Sequence, residues 1–94
     1  MDKELQGKLL QYLLPYHPAK IGVFGSFARG ENNKDSDLDI LIKFNDRISL
    51  LKLVQIEQEL SDMLGIPIDL VTENSLKNPR LKKSIERDLI TIYG

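Results

Sequence analysis

Three aspartates, one glycine–serine pair and one arginine are the residues whose types and spacing could do chemistry. Asp37 and Asp39 flank Leu38 in the run Ser36-Asp37-Leu38-Asp39. Leu38, Ile40, Ile42 and Phe44 alternate with Asp37, Asp39, Leu41 and Lys43, which predicts a strand with both carboxylates on one face. Two strand positions span about 6.6 to 7 Å, and two bare negative charges at that distance repel by roughly 2 to 3 kcal/mol at an effective dielectric near 20. A bridging divalent cation offsets that repulsion. Oxygen-only ligands in a chain without cysteine favour a hard ion, magnesium or manganese. Asp69 supplies a third carboxylate, and between the core-directed Ile68 and Leu70 it must point to the sheet's other face. If its strand pairs beside that of Asp37 and Asp39, three carboxylates around two cations make a site for in-line displacement at phosphorus.

Upstream stands Gly25-Ser26-Phe27-Ala28-Arg29-Gly30. A Walker-type phosphate loop would share the four-residue gap between Gly25 and Gly30, but it then needs Lys and Ser or Thr where Glu31 and Asn32 follow. A calcium loop starting at Asp35 would need glycine at its sixth position, which is Ile40, and glutamate at its twelfth, which is Asp46. Both readings fail. What remains is a glycine that lets backbone approach a phosphate and a serine opening a helix whose N–H groups attract anions. With the acidic trio, this describes a nucleoside-triphosphate pocket. Arg29 either touches phosphate or braces the loop against Asp35 or Glu31.

The elements that must carry these residues follow from periodicity. Leu5, Leu9, Tyr12 and Leu13 recur at helical spacing until Pro15 and Pro18. Ala19, Ile21 and Val23 alternate with Lys20 and Gly22, predicting a strand that ends at Gly25. From Ile48 to Leu64 the apolar positions step by three and four, with Asp46 as N-cap and Gly65 as C-cap. Ile66, Ile68 and Leu70 predict a third strand, and Asn78-Pro79 opens a last helix whose inner face is Leu81, Ile85 and Leu89. The final six residues fit helix or strand. The result is an α/β (α+β) domain: a small mixed three-stranded sheet, its first pair antiparallel and its third strand parallel, packed with about four helices.

Composition sets the bounds. Ninety-four residues, 41% hydrophobic and 29% charged, make one domain spanning 1–94. Thirteen basic against fourteen acidic residues leave no positive field for direct nucleic-acid binding. No apolar run spans a membrane, and no apolar signal region follows Met1, so a cytoplasmic address is expected. Lys77, Arg80, Lys82, Lys83 and Arg87 form a basic face, read first as solvated and second as a docking surface.

At Gly25-Ser26, ten residues, then Asp37-Leu38-Asp39, the chain resembles the nucleotidyltransferase superfamily typified by DNA polymerase beta, and most closely its minimal members, the MNT domains. The fuller pattern Gly-Ser-x-Ala-Arg-Gly, five residues, Ser-Asp-x-Asp is met by Gly25 to Gly30 and Ser36 to Asp39, and Ile68-Asp69-Leu70-Val71 matches the expected third acidic strand. The resemblance implies the nucleotidyltransferase fold and a two-magnesium, ATP-dependent transfer of AMP to a tyrosine hydroxyl of a HEPN-domain ribonuclease toxin, with this chain as antitoxin. It implies that Asp37 and Asp39 hold both ions, that Asp69 holds one and helps deprotonate the acceptor, and that Gly25 and Ser26 seat pyrophosphate. Two alternatives stand beside it: a non-catalytic antitoxin acting by direct binding, and transfer to a small molecule.

Overall fold

The computed structural model describes residues 1–94. Helix α1 (Lys3–Leu13) is capped by Asp2, whose side chain accepts from the Glu4 amide at 2.9 Å, and a 3-10 turn at Leu14–Tyr16 carries the chain into β1 (Pro18–Phe24). A five-residue helix α2 (Gly25–Arg29) starts directly at the end of β1 and stops at Gly30 in the left-handed region. After a loop come β2 (Leu38–Phe44), α3 (Leu50–Leu64), β3 (Ile68–Thr72), a 3-10 turn at Glu73–Ser75, α4 (Pro79–Asp88) and β4 (Ile90–Tyr93).

The sheet runs β3-β2-β1-β4. β1 pairs antiparallel with β2 and with β4, while β2 and β3 are parallel across the α3 crossover. The four helices and the mixed pairing of β1, β2 and β3 match expectation, but the sheet has four strands, not three. Ile90–Tyr93 alternates apolar and polar residues and follows α4 with only Leu89 between, so no turn signal announced it. It lies along the otherwise free edge of β1.

Three local expectations need correction. The cap of α3 is Ser49, whose hydroxyl accepts from the Lys52 amide at 3.1 Å, and Ile48 lies just outside the helix, packed against the core. β3 starts at Ile68; Pro67 precedes it and instead accepts a hydrogen bond from the Leu38 amide at 2.8 Å. Leu81, expected on the inner face of α4, is 50% exposed: the whole stretch 79–84 is exposed, and the helix packs on α2 and β1 with Ile85 as its buried residue.

The core lies on one face of the sheet. Leu9 and Leu13 of α1, and Ile56 and Leu60 of α3, close over Ile21, Val23, Leu38, Ile40, Ile42, Ile68 and Leu70, and no polar side chain is buried among them. Successive strand residues point to opposite faces, so burying Leu38, Ile40, Ile68 and Leu70 turns Asp39 and Asp69 to the other face. The outer edge of β3 is partly satisfied by α3: the Leu70 amide donates to Glu57 at 2.9 Å. The opposite face carries α4, docked through Ile85, 5% exposed, and through Leu89, which lies directly over Gly22.

Candidate active site

The acidic residues are set by strand register. Phe24 of β1 lies opposite Asp39 of β2, and Asp39 lies opposite Asp69 of β3, so the two carboxylates share one row on the face away from the core. Because β1 ends where β2 and β3 begin, this row sits at the same end of the sheet as Gly25 and the start of α2. Asp37, one residue before β2, is exposed at that end, and its charge reaches Asp39. Asp69 is exposed; Asp39 is half-buried.

Gly25 is required by geometry rather than by composition. Its φ of 74° is left-handed, where side chains other than glycine are strained. A Cβ there would collide with Asp39 Oδ2 and lie 3.2 Å from its Cγ. The turn from β1 into α2 is therefore pressed against the carboxylate of Asp39, and Ser26 follows as the second residue of α2.

Burial raises the pKa of Asp39 above the ordinary carboxylate value, the negative charges of Asp69 and Asp37 raise it further, and Arg29 opposes them. A carboxylate kept half-buried among like charges has unmet demand for a counter-charge. The donor set consists of oxygens alone, which suits a hard divalent cation. As the side chains stand, no three acidic or histidine groups are gathered tightly enough to enclose an ion. The trio forms a row and its flank, not a closed cage.

Arg29 is a brace in this arrangement. Its Nε meets Glu31 Oε2 at 3.1 Å and its Nη1 meets Asp88 Oδ2 at 2.9 Å, and these partners hold its pKa above the usual value. The Glu31 partner is one of the two the sequence offered. Asp88 was missed, although its position three residues after Ile85 places it near the side of α4 that packs inward. Ser36 and Pro67 help line a neighbouring groove of about 520 Å³ with Phe27, Asn33 and Lys34, which none of the three aspartates enters.

The nucleotidyltransferase domain family matches residues 3–92. A protein of Methanocaldococcus jannaschii named "Putative protein adenylyltransferase" is 56% identical over 77 residues, covering 82% of this chain and 79% of its own. The "Protein adenylyltransferase MntA" of Thermococcus cleftensis is 44% identical over 73 residues, covering 78% and 73%. Among solved structures, one described as a minimal nucleotidyltransferase superposes with a TM-score of 0.78 at 34% identity, over 94% of this chain and 89% of that one. A toxin–antitoxin crystal structure with AMP-PNP shares the fold at a TM-score of 0.85 and 23% identity, over 95% and 73%. With the match running almost end to end and the acidic row standing beside the Gly25-Ser26 turn, the chain belongs to the nucleotidyltransferase domain family and is a minimal nucleotidyltransferase.

Proposed function

We propose that this chain transfers AMP from ATP to a tyrosine hydroxyl of a HEPN-domain toxin protein and so acts as its antitoxin. The observation that carries the reading is the register pairing of Asp39 with Asp69 beside a glycine turn pressed onto Asp39. Relatives named protein adenylyltransferase, and a related fold solved within a toxin–antitoxin complex with AMP-PNP, support the choice of donor and acceptor.

Asp37 and Asp39 would hold two magnesium ions, and Asp69 one of them. Magnesium, when bound, neutralises charge on the triphosphate and favours ionisation of the acceptor. The chain's own residues supply the rest. Gly25 and Ser26 offer backbone amides and a hydroxyl at the site end of the sheet, where the leaving pyrophosphate would be seated. The acceptor oxygen bonds to the α-phosphorus as the bond to the β-phosphate oxygen breaks. A tyrosine hydroxyl with a pKa near 10 is mostly protonated at neutral pH. Asp69, the exposed member of the row, would take that proton. Arg29, held by Glu31 and Asp88, stays close enough to Asp39 to oppose its raised pKa.

The test is incubation of labelled ATP and magnesium with this protein and a purified cognate HEPN-domain toxin, to be sought in the adjacent gene. Wild type should label the partner at sub-stoichiometric amounts, and Asp37→Ala and Asp39→Ala should each lose about a hundred- to a thousand-fold in rate, the scale of removing one electrostatic stabiliser. If wild type labels nothing and both variants neutralise the toxin at molar equivalence without ATP, the protein is a blocking antitoxin instead.

A further inference from the structure

Segment 77–88 carries Lys77, Arg80, Lys82, Lys83 and Arg87 against Glu86 and Asp88, a net charge of +3 in a chain whose total is −1. None of the five basic groups takes part in an ion pair, while Asp88 is engaged by Arg29. Arg80, Lys83 and Arg87 are spaced by three and four and so lie along one face of α4, and all three are exposed. Leu81 adds a half-exposed apolar side chain in the first turns of the same helix. The face also has a direction. Ile90 pairs with Val23, and Phe24 pairs with Asp39, so the C-terminal end of α4 lies at the acidic end of the sheet, where Asp88 ties it to α2.

We propose that the Arg80, Lys83 and Arg87 face of α4, flanked by Leu81, docks an acidic segment of the protein acceptor. This rests on the protein-acceptor reading above and names the surface that such an acceptor would use. Complementary charge at an interface rim steers encounter and selects partners. A nucleic acid is a poorer fit. The chain as a whole carries a net charge of −1 and lacks the extended positive field that holds a phosphodiester backbone, so three basic side chains on one helix suit a short acidic segment better.

The test is calorimetric binding of the purified HEPN-domain partner to wild type and to the triple variant Arg80→Glu/Lys83→Glu/Arg87→Glu, with Lys83→Glu alone as a milder variant should the triple one fold poorly. The triple variant should bind at least about ten-fold more weakly, and wild-type affinity should fall with added sodium chloride more steeply than the variant's. The Arg80→Lys/Arg87→Lys variant should retain most of the affinity. The melting shift given by magnesium and ATP should be unchanged in all of them. In the labelling assay the KM for the partner should rise with little change in kcat. Equal partner affinity in wild type and both reversal variants overturns the proposal. So does wild type that fails to bind the partner, or loss of affinity for a uridine homopolymer in place of the partner. If wild type binds the partner but transfers no AMP, the adenylyl-transfer reading falls and the docking face is judged by the binding data alone.

Discussion

Asp39 stands under three influences at once: partial burial, the like charges of Asp69 and Asp37, and the opposing charge of Arg29. Its pKa is raised in the folded protein above the ordinary 3.8. Just above that value the folded chain binds more protons than the unfolded one. Stability therefore falls as pH rises through this window, and the whole penalty is present at neutral pH. Asp39→Asn removes it. Like charges directly opposite on paired strands cost up to about 1 kcal/mol, and in a domain of this size that is about 4 to 8 °C in melting temperature. The variant should melt higher than wild type at about pH 7 without magnesium, and the gap should close towards about pH 4; a gap independent of pH would assign the effect to packing instead. Gly25→Ala should do the reverse. Its left-handed φ and the collision with Asp39 predict a loss of about 1 to 3 kcal/mol in denaturant unfolding, and transfer activity should fall further than stability does because the carboxylate itself is displaced.

α4 is the element that the main core does not hold. It docks on the far face through Ile85, Leu89 and the Asp88–Arg29 pair. Asp88→Ala should speed amide exchange across residues 79–88 while leaving that of α3 unchanged, because α3 is anchored separately by Ile56 and Leu60. Equal acceleration in both helices would show that the pair supports the whole domain rather than this one helix. Ile85→Ala should cost about 2 kcal/mol, the low end for such truncations, since the exposed first turns of α4 can settle towards the gap. The Tyr12 hydroxyl donates to Glu59 and joins α1 to α3 on the opposite side of the molecule; burial and that bond raise the tyrosine's pKa.

At the scale of the molecule, one sheet separates two tasks. The core face supplies stability from apolar side chains alone, and the other face collects the charges. A ligand that binds only the native state stabilises it. Magnesium with ATP at about a hundred times its Kd should add about 2.7 kcal/mol, on the order of 10 °C in melting temperature. Asp37→Asn should lose most of that shift while melting normally without ligand. An undiminished shift in this variant would remove Asp37 from the binding set.

Period-two alternation in Leu38–Phe44 and Ile68–Thr72 and period-three-and-four stripes in α1 and α3 were legible in the sequence, because burial on a strand or helix face leaves a regular trace. The spacing of Gly25-Ser26 to Asp37-Leu38-Asp39 was legible too, since the chemistry depends on residue types at fixed separations along one segment. Other features depended on partners distant in the chain. β4 needed the free edge of β1, and Arg29 needed Asp88 from a helix 59 residues away. The pairing of Asp39 with Asp69 was open until the parallel register of β2 and β3 set it. Which side chains turn away from the core could be read along the chain, because strand alternation is local. Only the tertiary structure decided which of them are neighbours, because register between strands is settled by how the whole core closes.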